Sequence, residues 1–249
     1  MFESDGQAER NREGRGVRRT LVLNAKGGCG KTTIATNLAA YYAQRHDTTL
    51  LDYDPQGSSL RWLQRRGADR PAIDGVRAYA RHPTGMTRTW MTHNPRAERT
   101  VVDAPAGING PDLADLVRDV DAVIIPVLPS PIDIQAAADF VRDLLLDGRS
   151  RQRGVRLAVV ANRARTRTRI YGSLERFLAS LDLPFLTTLR DSQNYVRAVE
   201  RGLGIHELGG KACEPDLEQW APLLRWLEAG SGTGTVTPFP RETSSSGVR

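Results

Sequence analysis

The sequence predicts an α/β protein, a doubly wound and mostly parallel sheet with helices on both faces. Three observations point there. Short apolar runs alternate with longer amphipathic ones, a glycine-rich segment joins the first apolar run to the first helical pattern, and aspartates stand where apolar runs end. A strand covered on both faces reads as a continuous apolar run, and a helix lying on it reads as a stripe.

In chain order, "RRTLVLNA", "TTLLDYD", "RTVVDAP", "DAVIIPV" and "VRLAVVAN" have the length and β-branched content of buried parallel strands, and "LPFLTTLR" adds a sixth. The segments after Gly30, Ser58, Gly110, Pro131 and Ile170 carry helical spacing, and "PDLEQWAPLLRWLEA" reads as a last amphipathic helix covering the sheet. Such a βα repeat places its ligand crevice at the carboxyl ends of the strands. The expected organisation is a polar tail over 1–17, a catalytic domain over 18–228 and a Ser/Gly/Thr-rich tail over 229–249.

Composition narrows the function. Cys29 and Cys213 are the two cysteines, too few and too far apart for a disulfide framework or a zinc site. No apolar run approaches the roughly 20 residues of a membrane span, and the first residues lack the apolar core of a signal peptide, so a cytoplasmic protein is expected. The net charge is +6, which favours anionic partners. Of the 35 basic residues only Lys26, Lys31 and Lys211 are lysine. Two of those three fall within "NAKGGCGKTT", Asn24 to Thr33. Lysine is a compact charge that fits among phosphate oxygens where a planar guanidinium is too large.

That decapeptide has the context of a phosphate loop. It follows a strand and opens a helix, so Gly27, Gly28, Cys29 and Gly30 present backbone N–H groups to a polyphosphate and the helix terminus adds partial positive charge. Lys31 would reach the terminal phosphates, Thr32 would ligate magnesium, and Thr33 completes the motif. Ala25 stands where the ordinary G-x-x-x-x-G-K-T pattern has its first glycine. Asp52 and Asp54 in "LLDYDPQGSS" and Asp103 in "TVVDAPAG" are strand-end carboxylates suited to holding magnesium and orienting water.

"KGGCGKTT", "DYDPQGSS" and "VVDAPAG" together resemble the deviant Walker P-loop ATPases of the ParA/MinD family over most of residues 18 to 228. "VIIPVLPSPIDIQAA" and "RDSQNYVRAVERG" are similar to the small plasmid-partition ParA (ParF-like) and McdA-type cargo-positioning branches. The resemblance implies that Lys26 is the signature lysine, reaching across an ATP-bound homodimer to the partner's phosphates. It makes Lys31 and Thr32 the loop lysine and the Mg2+ ligand, Asp54 the residue needed for hydrolysis, Asp52 its neighbour near the metal, and Asp103 the Walker B acid. Asn162 resembles the residue that contacts adenine. "NRAR" there lacks the Asn-Lys-x-Asp pattern of guanine readers, so ATP is expected. The family's cycle implies non-specific DNA binding by the dimer, a nucleoid-associated location, and a ParB-like or adaptor protein that stimulates slow hydrolysis.

Arginines supply the candidate DNA surface. Arg163, Arg165, Arg167 and Arg169 alternate, and in an extended segment all four would point one way over about 20 Å. Such a row suits a phosphate backbone, a solvated loop or a dimer or partner contact equally. Arg197 and Arg201 are four apart and share a face if helical. Arg190 lies close to a family arginine implicated in DNA binding. Two alternatives remain. A MinD-like membrane ATPase needs a basic amphipathic C-terminal helix, which "EPDLEQWAPLLRWLE" does not provide. A biosynthetic ATP-dependent enzyme on the same fold would turn over a small molecule without DNA or a partner.

Overall fold

The computed structural model describes residues 19–79, 94, 96–146, 154–165, 168–181 and 183–229. The expected N-terminal tail, nearly all of the C-terminal tail, and Arg167 lie outside them. Seven strands, β1 (Arg19–Val22), β2 (Thr48–Asp52), β3 (Asp74–Arg77), β4 (Arg99–Asp103), β5 (Ala122–Val127), β6 (Arg156–Ala164) and β7 (Phe185–Arg190), form one sheet. Their order is β3-β2-β4-β1-β5-β6-β7, and every pairing is parallel.

The helices are α1 (Lys31–Ala43), α2 (Ser58–Gln64), α3 (Gly110–Arg118), α4 (Pro131–Leu146), α5 (Arg169–Ser180), α6 (Gln193–Glu200), the single turn α7 (Ile205–Leu208) and α8 (Glu214–Glu228). Their starts follow from local chemistry. Thr168 Oγ1 accepts the Tyr171 N–H (3.3 Å) to cap α5, Ser192 Oγ accepts the Asn194 N–H (3.2 Å) to cap α6, and a proline sits in the first turn of α8.

Alternate residues of each central strand feed two separate cores, which is why the strands read as unbroken apolar runs. Leu21, Leu51, Val102 and Val123 face Leu116 of α3, Phe140 of α4 and Leu174 of α5. Val22, Leu50, Val101 and Ile124 face Ile34 and Leu38 of α1 and Trp220 and Leu223 of α8. All six expected strands are present. β3 was not anticipated, because an edge strand that buries Val76 alone leaves no apolar run to read.

β1 lies between β4 and β5, and the chain winds to opposite sides from it. The register pairs Asp103 with Val22 on one side and with Asp52 on the other. The loop after β1 and both carboxylates are thereby brought to one crevice.

Candidate nucleotide site

The loop between β1 and α1 is held by side chains at its two ends. Asn24 Nδ2 donates to the Pro126 carbonyl (2.7 Å), and its Oδ1 accepts the Lys26 N–H (2.9 Å), fixing the loop's entry against β5. At the exit, Asn162 Nδ2 donates to the Cys29 carbonyl (2.8 Å) while its Oδ1 accepts the Arg163 N–H (3.0 Å). Asn162 is buried, and its amide is spent on the loop backbone. Gly30 caps α1 at φ 94°, and a Cβ there would fall 2.0 Å from Asn162 Nδ2. Glycine is required on both grounds. No side chain caps α1, so the N–H groups of its first turn are left for an external acceptor.

The two lysines differ in placement. Lys31 is 7 % exposed and donates from Nζ to the Lys26 carbonyl (2.9 Å), inside its own loop. Among the described residues no carboxylate forms an ion pair with it, so an anion in the loop would complete its neutralisation. Lys26 is half-exposed at the rim and lies 3.6 Å from Asp133 in the first turn of α4. The hydroxyl of Ser130 donates to the other oxygen of that carboxylate.

Thr32 Oγ1 donates to Asp103 Oδ2 (2.8 Å), and Asp103 Oδ1 is buried with no hydrogen-bond partner. Burial pushes the Asp103 carboxyl up to about 7, the Thr32 hydrogen bond opposing this and the neighbouring Asp52 adding to it. A cation beside Asp103 would reverse that pressure and occupy its free oxygen. Asp52 is fully buried, accepting the Asp54 N–H (3.0 Å) and the Leu60 N–H at the head of α2 (3.2 Å). Asp54 is half-buried on the loop beyond, its Oδ1 accepting the Gln56 N–H (2.9 Å). Among the described residues no three His, Cys, Asp or Glu side chains gather to hold a metal alone. A metal here would complete its shell with phosphate and water, as magnesium does.

Cys29 is buried and its Sγ donates to the Lys26 carbonyl (3.3 Å). Burial outweighs Lys31 and raises its thiol, so an activated, low-pKa cysteine is not what the loop holds.

The described part of the arginine row does not continue as one strand. Arg163 takes a left-handed backbone (φ 51°), β6 ends at Ala164, and Arg169 opens α5. Arg163 Nε (3.5 Å) and Arg165 (3.3 Å) instead converge on Asp191. Arg190 is also committed within the chain: its guanidinium donates to both oxygens of Asp216, at 2.6 and 2.9 Å. Arg197 and Arg201, on α6 and at its C-cap, are exposed and have no carboxylate partner among the described residues. The sequence reading missed Asn24, Asp133 and Ser130. Asn24 at a strand end before the loop was a signal, but Asp133 gave none until α4 was placed.

A model of the CobQ/CobB/MinD/ParA nucleotide-binding domain matches residues 20–205. The maintenance of carboxysome distribution protein A of Halothiobacillus neapolitanus is 31% identical over 201 residues, spanning 80% of this chain and 92% of the relative. Among solved structures, apo McdA from Cyanothece superposes with a TM-score of 0.67 at 15% identity, covering 83% of this chain and 99% of that one. A plasmid partition protein from Borrelia burgdorferi bound to AMPPNP gives 0.66 at 16% identity, with 84% and 99% covered.

Proposed function

Since the chain belongs to the CobQ/CobB/MinD/ParA family of nucleotide-binding domains, we propose that it is a ParA-type ATPase that dimerises on ATP, binds DNA non-specifically and positions or partitions a cargo. A ParB-like or adaptor protein would stimulate its hydrolysis. The relative named for carboxysome distribution favours a protein compartment over a plasmid as that cargo.

The observation that carries this reading is the unequal placement of the two lysines. Lys31 is buried in its own loop, whereas Lys26 stands half-exposed at the rim. Two polyphosphates facing each other across a dimer repel, and a lysine donated in each direction offsets that repulsion only when both sites hold ATP. Lys26 is free to move outward on that errand once it leaves Asp133. ATP and Mg2+ would supply the phosphoanhydride and its charge neutralisation. Thr32 and Asp103 would hold the metal side, Lys31 the terminal phosphates, and Asp54 the attacking water, with Asp52 fixing the loop that carries Asp54.

Burial of the apolar side of α8 counts against a membrane role. Trp220, Leu223, Leu224 and Leu227 are packed on the sheet, and no described helix is long and apolar enough to cross a bilayer. The test is Lys26→Ala. It should still bind ATP while losing the ATP-dependent dimer and any stimulated hydrolysis. A normal dimer by light scattering with ATP would overturn the reading.

A further inference from the structure

We propose that Arg65, at the C-terminus of α2, contacts DNA phosphates on the same edge as Arg197 and Arg201. This rests on the DNA-binding part of the function proposed above. α2 and the segment after α6 are joined by a tight seam. A Cβ on Gly202 would meet the Arg66 nitrogen at 2.4 Å and the Arg65 carbonyl carbon and oxygen at 2.5 and 2.7 Å, so the two backbones touch. Gly202 also holds φ 65°, and glycine is what lets the chain turn there.

Side chains lock the seam. Arg66 donates to both oxygens of Glu207 (2.8 and 2.6 Å) with both side chains 4 % exposed, and it donates again to the Gly202 carbonyl (3.2 Å). Trp62 Nε1 donates to the Leu203 carbonyl (3.1 Å). These bonds use up Arg66 but leave Arg65 on the solvent side. The Arg65 backbone therefore lies against Gly202, the residue that follows Arg201, although 136 positions separate Arg65 from Arg201 in sequence.

Arg65, Arg197 and Arg201 are all exposed, and none has a carboxylate partner among the described residues. Several other surface arginines are paired, Arg163 and Arg165 with Asp191, Arg118 with Asp115 and Arg142 with Asp139, while Arg77, Arg96, Arg169 and Arg225 are exposed without a carboxylate partner among the described residues but do not adjoin this seam. Three guanidinium groups without a carboxylate partner, carried by α6 and by the seam that joins its C-terminus to α2, suit a row of phosphates, which offers affinity without sequence reading. The far end of α2 is tied to Asp52 through the Leu60 N–H, so this edge is anchored to the nucleotide site by one short helix.

The experiment measures affinity for a mixed-sequence DNA duplex with ATP and Mg2+ at several salt concentrations, comparing wild type, Arg65→Ala and Arg61→Ala. Arg61 is on the same helix but is occupied by Ser58 and by the Gln56 carbonyl. Arg65→Ala should weaken binding about tenfold and flatten the slope of log K against log salt by about 0.9 per contact removed, or about 1.8 for a dimer. Arg61→Ala should leave the slope unchanged. Light scattering with ATP and a melting curve check that Arg65→Ala still dimerises and folds. A wild-type slope in a folded Arg65→Ala dimer would overturn the assignment of Arg65, as would equal losses in both variants. Failure of the wild-type protein to bind DNA with ATP would overturn the DNA reading itself and this edge with it.

Discussion

Arg190→Ala separates a structural arginine from a DNA contact. Asp216 is fully buried, and its carboxylate accepts two charged donations from Arg190, at 2.6 and 2.9 Å. Removing one member of a buried ion pair costs about 3–5 kcal/mol. Two features lower that figure here. The Arg190 side chain is 37 % exposed, so water can replace part of it, and Asn194 Nδ2 still donates to Asp216 (2.7 Å). About 2–3 kcal/mol is expected, which moves a urea midpoint down by about 1 M. Arg190→Lys keeps the charge but not the paired donation, and should lose about 1 kcal/mol. Replacing Asp216 by Asn together with Arg190→Ala should recover stability, because no buried charge is then left unpartnered. DNA affinity of the folded variant should stay within about twofold of wild type, with the salt slope unchanged. Full stability combined with weaker, less salt-dependent DNA binding would refute the assignment.

Three further outcomes follow from the geometry. Gly30→Ala places a Cβ against the Asn162 amide at a positive φ, so ATP affinity should fall at least about tenfold and the melting temperature should drop, as read by calorimetry with and without nucleotide. His206, packed against Tyr41 and Trp220, has its pKa pushed down to about 4 by burial, with Glu207 opposing. Its native form therefore binds fewer protons than the unfolded chain, so its contribution of about 3 kcal/mol is complete above pH 6.5 and is lost as pH falls toward 4. His206→Phe should flatten that part of the stability profile in urea titrations at stepped pH. For Asp216, burial acts to raise the carboxyl, but hydrogen bonds from Arg190, Asn194 and Ser192 outweigh it and hold the group low. Its stabilisation is present above the usual carboxylate range and lost as pH falls below about 4, so Asp216→Asn should remove that acid-limb slope.

The fold was legible where burial is two-sided. β1, β2, β4, β5 and β6 are apolar runs because each feeds both cores, and any solution that buries them is a covered parallel sheet. The phosphate loop was legible because its chemistry is local: Gly30, Lys31 and Thr32 act through the backbone turn and helix end that they themselves create. β3 was hidden because an edge strand has little to bury. The arginine row could not be placed from sequence, because alternation predicts a common face only while a strand lasts, and β6 ends at Ala164 after a register shift against β7.

What the sequence determined by itself was the sheet, the loop and the aspartates at the strand ends, all set by short-range patterns of burial and turn chemistry. The tertiary structure alone decided which charges are free. Lys31 is turned into its own loop and Lys26 toward Asp133, Arg190 is locked to Asp216, and the Arg65 backbone is brought against Gly202. Charge state and residue type are written in the chain, but whether a charge meets a partner depends on elements far apart in sequence packing at the same place.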